Sequence, residues 1–337
     1  MKNILDANAK KATLFHIRTA KDIDWSQLNA MAYNPEQALD VNNKRIGFVH
    51  PLETLEIAPE GEIFEQYEGG LIGALRTDKS VVTSTAIKQA AAVQIKQRLE
   101  ELPEDARLSK EERESITIAV RQKLLKDSTE VSSYVPFIID EKNSRLIIFS
   151  TTSDILEAVK VRLNNMFAGD LELIDYSSFA VKAEINNIAA KFLSKLQTYH
   201  TAHAADAHDM VFEGCDGLSF GTGVKLSSFD DTSGNDGGFP SIDVTDERLL
   251  QLIESATGIE KIGLFLVHST SDIDFTLNSK LQFDKLGLDS VLIHGLQEDD
   301  LQDPTGEIRA TAQILADCVD IMQKNVTNWL GMSEHIG

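Results

Sequence analysis

Three short apolar runs in the first quarter of the chain are separated by turn residues, and each predicts a β-strand. The runs cover residues 12–17, 45–50 and 71–76. Between the first two, Trp25, Leu28 and Met31 recur at helical spacing, which predicts a short amphipathic helix that ends before Pro35. A strand, a helix and returning strands together favour an α+β sheet.

The pattern changes to a helical one between residues 80 and 127. Pro103 separates two stretches in which apolar residues recur every four positions, and Ser109 with Glu112 forms a capping box at the start of the second. The spaced apolar residues are Ile87, Ala91, Ile95 and Leu99, followed by Ile116, Val120 and Leu124. The stretch therefore predicts two helices joined as a hairpin, pictured as a finger that projects from the sheet.

The remainder of the chain predicts further α+β structure. Alternating apolar runs and turn signals favour a β-hairpin, a helix capped by Ser153, a strand, a second helix, a strand pair and a last helix. Their approximate ranges are 134–150, 153–167, 171–176, 245–258, 262–279 and 303–330. Residues 206–240 are rich in Gly, Ser and Asp, which favours a mobile loop over regular structure.

These elements predict a three-part organisation with an α+β fold. Residues 1–79 and 131–180 form an antiparallel sheet domain, and residues 80–130 form the helical finger. Residues 181–337 form an acidic C-terminal α+β domain that contains the mobile loop 206–240.

Composition places the 337-residue chain among soluble globular proteins. Hydrophobic residues make up 42% and charged residues 25%, no apolar run is long enough to cross a bilayer, and no secretory signal is visible. We therefore expect a cytoplasmic protein without membrane contact. The only two cysteines, Cys215 and Cys318, exclude a disulfide framework.

The formal net charge of -21 is distributed unevenly. Residues 1–199 carry 25 Lys/Arg and 29 Asp/Glu, whereas residues 200–337 carry 7 and 24. An acidic total argues against a surface that binds nucleic acid everywhere. It leaves room for a local basic groove, because salt screens each surface charge beyond roughly 8–10 Å.

The strongest candidate for a metal site is a polar cluster near the middle of the chain. It contains His200, His203, Asp206, His208, Asp209 and Cys215. A zinc site needs three or four ligands with a supporting shell, and no Glu lies between the close histidines, so a polar linker is the favoured interpretation. The Gly-rich run 217–223 lacks the Gly-Lys-Ser/Thr ending of a phosphate loop. We expect no catalytic site, metal or other cofactor.

The predicted finger concentrates positive charge. Residues 80–127 hold nine of the 32 Lys/Arg of the chain and eight acids. Two interpretations remain open on composition alone: a salt-bridged solvated surface, or an edge that follows DNA phosphates.

The order of several motifs resembles the recombination-associated protein RdgC family. The similarity extends from about Ala12 to Ser178 and includes the Met31-Ala32-Tyr33 and Gly47-Phe48-Val49 turns. The matching segments are 28–52, 81–102, 108–125 and 137–166, with a weaker match at 242–266 and in the last helix.

The resemblance implies a non-enzymatic, sequence-independent binder of double-stranded DNA. It also implies a closed homodimeric ring or horseshoe-shaped subunit, association with the nucleoid, and modulation of homologous recombination and its proteins. Lys88 is carried over from the Ile-Lys-Gln motif of the family. The other DNA-binding candidates are chosen by charge, and they are Lys96, Arg113, Arg121 and Lys123.

Two other hypotheses belong to different functional classes. The acidic C-terminal half could mimic DNA and bind a basic partner or an RdgC-type subunit. A metal-dependent nuclease is a third hypothesis, although the sequence shows no ligand set for it.

Overall fold

The computed structural model describes most of the chain. The described residues are 3–40, 42–103, 107–126, 128–203, 211–227, 248–256, 258–267, 272–288, 291–292, 295–297 and 303–335. They group into two compact units by their contacts. The first unit comprises residues 1–31, 49–74 and 135–337, and the second comprises residues 32–48 and 75–134.

The first unit is built around an antiparallel sheet. Starting from β4, its strands follow the order β4-β5-β6-β1-β11-β10-β9-β8, while β3 pairs with β4 and β7 pairs with β1. The strands are β1 Lys11–Thr19, β3 Phe64–Tyr67, β4 Gly70–Ser80, β5 Glu130–Asp140, β6 Arg145–Ile148, β7 Leu171–Asp175, β8 Leu218–Ser227, β9 Gly258–Leu266, β10 Ile273–Asn278 and β11 Phe283–Asp284. Strands β4 and β5 also contribute residues to the second unit.

Strand β1 joins the N-terminal and C-terminal halves of this sheet. Its residues 13–16 pair with β6, residues 15–19 pair with β7, and residues 11–12 pair with β11. The β5–β6 hairpin is fully buried where Phe137 faces Ile148 and Ile139 faces Leu146. The core of the first unit therefore contains side chains from both halves of the sequence.

Several helices accompany this sheet. They are α1 Ile4–Asn8, α4 Ser153–Met166, α5 Tyr176–Lys182, α6 Ile188–His203, α7 Arg248–Ser255 and α8 Pro304–Leu330. Helix α8 begins at a strong cap, because the Asp303 carboxylate accepts the amides of Thr305 at 2.7 Å and Gly306 at 3.0 Å. It ends at Gly331, whose φ of 76° is the left-handed conformation that favours glycine.

The second unit contains β2 Lys44–Val49, the adjoining parts of β4 and β5, and two helices. These helices are α2 Ser84–Glu100 and α3 Lys110–Lys126. A β-carbon on Gly47 would lie 2.3 Å from the Cα of Tyr33, so the close approach of these two segments requires glycine. Tyr33 and Gly47, one from each turn motif, are therefore neighbours in the fold.

The structure confirms the α+β fold and most of the predicted elements. The three early strands, the helical hairpin, the β5–β6 hairpin, α4, β7, the β9–β10 pair and α8 lie where the pattern placed them. Two local details differ. The predicted helix near Trp25 is a 3-10 helix over Trp25–Met31, and the N-cap position of α4 is held by Thr152, without a side-chain capping bond, rather than by Ser153.

The expectation of irregular backbone throughout 206–240 is wrong for residues 218–227, which form β8. Glycine marks a close strand contact here, because a β-carbon on Gly221 would meet the backbone of Leu264 in β9 at 3.0 Å. The β8–β9 pairing also carries register shifts after Phe220 and Lys225, which obscure a two-residue repeat. The parts 206–210 and 228–240 lie outside the described residues.

The three-part division stays a prediction. The described residues from 135 onwards group with the N-terminal strands, because β1 pairs directly with β11. The helical hairpin belongs with residues 32–48.

Candidate nucleic-acid interface

Capping hydrogen bonds mark the start of both helices of the hairpin α2–α3. The Thr83 hydroxyl accepts the amide of Ala86 at 3.2 Å. At α3 the Glu112 carboxylate accepts the Ser109 amide at 2.8 Å, and the Ser109 hydroxyl accepts the Glu112 amide at 3.1 Å. This is the reciprocal capping box that the sequence predicted. The backbone hydrogen bond from Ser109 lowers the pKa of Glu112.

The two helices bury a narrow strip of apolar side chains. Ala91 on α2, Val120 on α3 and Leu108 before α3 are buried, as the fourfold spacing predicted for Ala91 and Val120. Val93 and Ile118 lie outside that strip and are each 57% exposed. Most of the surface of the hairpin is consequently polar and accessible to solvent.

All five predicted DNA-binding residues are exposed on this hairpin. Lys88 and Lys96 are eight residues apart on α2, and Arg113 and Arg121 repeat that spacing on α3. Eight residues place the two members of a pair about 80° apart around the helix and about 12 Å apart along it. Each helix therefore presents one cation pair of similar spacing, whereas Lys123 lies about 160° from Arg121.

The five residues differ little in their ion pairing. Lys96 lies 4.0 Å from Glu100, an exposed pair of small energetic value. Within the described residues, the other four have no acidic partner within 4.0 Å; they are Lys88, Arg113, Arg121 and Lys123. Their positive charge is available to a phosphate group.

The strand portion of the second unit contains a cation cluster that the sequence did not reveal. The Arg76 guanidinium lies over the ring of Tyr33 at 4.2 Å and donates two hydrogen bonds of 3.0 Å to Asp78. Arg45 donates to the Tyr33 hydroxyl at 3.1 Å and to Glu130 at 2.9 Å. The only sequence signal was the Met-Ala-aromatic turn, which contains Tyr33.

The surroundings of Asp78 and Arg76 favour the ionised form of each side chain. Burial acts to raise the pKa of Asp78, but hydrogen bonds from Arg76 and Tyr33 outweigh it and lower the pKa. A hydrogen bond from Arg76 to Asp78 raises the pKa of that guanidinium further. Arg45 and Arg76 therefore already bind side chains of this protein, unlike the five candidate cations of the hairpin.

The histidine cluster is only partly within the described residues. The backbone of His200 and His203 lies in α6, whereas Asp206, His208 and Asp209 lie outside the described residues. The Cys215 thiol approaches the Asn325 carbonyl oxygen at 3.4 Å, and burial raises its pKa, so it is not an activated thiolate.

The described part of the chain was compared with two requirements, a set of metal ligands and a helix that could cross a bilayer. Its residues contain no group of three or more His, Cys, Asp or Glu side chains placed to hold a metal ion. No helix among them is long and apolar enough to span a bilayer.

Comparison with protein families gives a match over the first part of the chain. The family model described as "Putative exonuclease, RdgC" matches residues 9–202, which is more than half of the chain. A search of curated proteins gives no match. The matched region includes α2 and α3 with all five candidate cations.

Proposed function

Because this chain belongs to the RdgC family, we propose that it is a non-enzymatic protein that binds double-stranded DNA without sequence preference. It modulates homologous recombination by occupying or encircling the duplex, which limits access for recombination proteins. The hairpin cations Lys88, Lys96, Arg113, Arg121 and Lys123 contact the phosphates.

This proposal rests on the exposure and the ion pairing of the hairpin cations. They are exposed, and four of them lack an acidic partner among the described residues. Free cations gain affinity by releasing counterions from DNA, at a slope of about -0.9 in log affinity against log salt per phosphate contact. Four contacts from each subunit of a homodimer would give about eight contacts.

Phosphate contacts of this kind carry no sequence information. The contacts proposed for the hairpin cations are to phosphates alone. We expect duplex binding to depend strongly on salt concentration and weakly on the DNA sequence.

The decisive experiment measures duplex affinity across a salt series for two variants of equal charge change. The first variant replaces Lys88, Lys96, Arg113 and Arg121 with Glu. The second variant replaces four exposed lysines elsewhere with Glu, namely Lys10, Lys21, Lys142 and Lys280. We expect the first variant to lose binding and the second to retain most of it.

Three results would contradict this assignment. The parent protein could fail to bind duplex even at low salt, the hairpin variant could bind as well as the parent, or the control could lose as much affinity. The first result, together with binding to a basic protein, would favour the acidic-partner hypothesis, for which the 7 cations and 24 acids of residues 200–337 provide the charge.

Quaternary structure and catalysis are tested separately. We propose a homodimer that closes or partly closes around DNA, and light scattering that gives a strictly monomeric mass would reject it. The family description names an exonuclease, so duplex incubated with the protein and Mg²⁺ should be followed for shortening. Length that stays constant agrees with binding alone, whereas progressive shortening would favour the nuclease.

A further inference from the structure

Arg45 in β2 connects the two strands that carry the hairpin α2–α3. Strand β4 leads into α2, and β5 follows α3, with three residues in each connection. The Arg45 guanidinium donates to the Glu130 carboxylate, at the start of β5, at 2.9 Å. It also lies 3.9 Å from the carboxylate of Asp78, near the end of β4. One side chain of β2 therefore contacts acids on both strands where these strands meet the hairpin.

Two further hydrogen bonds fix the position of this guanidinium. Its Nε donates to the Gln37 carbonyl oxygen at 2.5 Å, and its Nη1 donates to the Tyr33 hydroxyl at 3.1 Å. The Arg45 side chain is 13% exposed and that of Asp78 is 4% exposed. Partial burial strengthens the attraction between such charges relative to water. We call Arg45, Asp78 and Glu130 the base clamp.

The hairpin itself has few buried side chains that could hold its direction. All 17 residues of each helix are described, and α2 and α3 each contain one fully buried residue, Ala91 and Val120. In the connection from β4 to α2, Val81 is 51% exposed. The direction of the hairpin therefore depends strongly on the contacts at its base.

A small change of angle at the base becomes a large displacement at the far end of the hairpin. A helix of 17 residues is about 25 Å long, so a tilt of about 10° moves its far end by about 4 Å. Lys96 and Arg113 lie towards that end. A displacement of this size separates a cation from a phosphate that it would contact. Affinity then falls by the fraction of molecules that hold the binding direction.

We propose that Arg45 is a positioning residue for DNA binding. Through the base clamp it fixes the direction of the hairpin, so that the cations of α2 and α3 reach phosphates together. This inference rests on the proposed binding of duplex DNA, and it assigns a role to Arg45 that requires no contact with DNA. Loss of the clamp widens the range of hairpin directions and weakens binding, although every hairpin cation is still present.

Glu130→Ala opens the base clamp at β5 and distinguishes positioning from charge. Removing an acid makes the protein less negative, so electrostatics alone predicts tighter duplex binding. The clamp predicts the opposite sign. In fluorescence anisotropy with a labelled duplex we expect about threefold weaker binding, as when about one third of the molecules hold the binding direction. The slope of log affinity against log salt should equal that of the parent, because no phosphate contact is removed.

Glu114→Ala is the matched control. Its carboxylate lies 3.9 Å from the Lys110 ammonium within α3, so the substitution breaks an ion pair and changes the charge equally without altering the base clamp. We expect this variant to bind the duplex as tightly as the parent or more tightly. Urea denaturation of both variants establishes that each is folded under the conditions of the binding measurement.

A measurement without DNA tests the clamp separately from the proposed function. Spin labels are attached at Gln97→Cys on α2 and Lys79→Cys on β4, both exposed positions, in a Cys215→Ser background that removes the half-buried native thiol. We expect double electron–electron resonance to give a broader distance distribution with Glu130→Ala than in the parent or with Glu114→Ala. Hydrogen exchange of the α2 and α3 amides should stay unchanged, which excludes unfolding of the hairpin.

Four results would overturn the proposal. They are a distance distribution in Glu130→Ala as narrow as that of the parent, a duplex affinity of this variant equal to or above that of the parent, a reduced salt slope, and equal weakening by Glu114→Ala. A parent protein that fails to bind duplex would reject the proposed function, and with it the role of Arg45 in binding. A parent that binds, with no effect of Glu130→Ala, would reject the base clamp alone.

Discussion

Arg145 in the first unit and Arg121 in the second carry the same charge in opposite surroundings. Arg145 is 1% exposed and contacts the Asp140 carboxylate at 2.7 Å, Asp320 at 3.2 Å and the Ala316 carbonyl at 2.9 Å. Arg121 is exposed, and no acid lies within 4.0 Å of it among the described residues. The first arginine stabilises the fold, and the second is available to a ligand.

This difference teaches that the number of cations in a segment says little about binding. Arg45 and Arg76 lie in the same unit as Arg121, yet carboxylates and tyrosine rings already engage them. The availability of a charge depends on partners that are distant in the sequence. Substitutions that separate stability from affinity test this distinction.

The largest loss of stability is expected from Arg145→Ala. Removing one partner of a buried ion pair leaves the Asp140 carboxylate without a cationic partner, which costs about 3–5 kcal/mol of the free energy of unfolding. Urea denaturation measures this loss. As a control, Arg18→Ala breaks an exposed pair with Glu172 of 2.8 Å, and the expected loss is about 1 kcal/mol or less. Equal losses in the two variants would contradict the comparison.

Arg45→Ala should have an intermediate effect. The Arg45 side chain is 13% exposed and donates to Glu130 and to the Tyr33 hydroxyl. Loss of these charge-assisted hydrogen bonds should lower the free energy of unfolding by less than Arg145→Ala and by more than Arg18→Ala. Arg45→Lys should recover only part of it, because an ammonium cannot reproduce the planar geometry of the guanidinium. Full recovery by lysine would show that charge alone is needed.

A smaller effect is expected from the protonation of His50. Burial lowers its pKa below the usual value, and the nearby Glu65, Glu62 and Glu53 offset this only in part. The unfolded chain therefore binds the proton more readily, so this contribution to stability is complete above about pH 6.5 and is lost as pH falls from there through the lower pKa of the folded state. Its Nδ1 accepts the Leu52 amide at 3.2 Å, which protonation would prevent.

Urea denaturation between about pH 5 and 8 measures this contribution. His50→Asn keeps an acceptor near the Leu52 amide and removes the titration. The parent should lose stability on acidification faster than this variant, and identical pH profiles would contradict the prediction.

The smallest effect on stability is expected at the hairpin cations. Lys88→Ala and Arg121→Ala should each change the free energy of unfolding by less than about 0.5 kcal/mol. Each should reduce the salt slope of duplex binding by about 0.9 for every phosphate that the side chain no longer neutralises. A large loss of stability would show that these side chains have structural partners.

The sequence predicted elements that depend on local repeats. The fourfold apolar spacing in α2 and α3 and the Ser109 capping box lie where local interactions alone determine the structure. Helix α6 was not predicted, although Phe192, Leu196 and Tyr199 repeat at helical spacing and are buried. There the pattern was present, and the polar residues that follow it obscured the helix.

Other features could not be predicted, because their partners are distant in the sequence. Glu65 would ordinarily mark an exposed position, but it is buried in β3 beside Arg309, which is 244 residues away. Burial of Arg145 likewise depends on Asp320, 175 residues away. The charge pattern could identify the hairpin cations as candidates, but not which of the arginines elsewhere were already neutralised.

Helix α8 has a consequence for the time course of protein synthesis. It spans 27 residues and supplies partners to Asn3, Glu65 and Arg145, the first of which precedes its partner by 304 residues. At about 5–20 residues per second, the ribosome needs on the order of 15–60 s between these two segments. Throughout that interval the early strands are exposed without their closing helix. We therefore expect the nascent chain to be more prone to aggregation during that interval than the finished protein is.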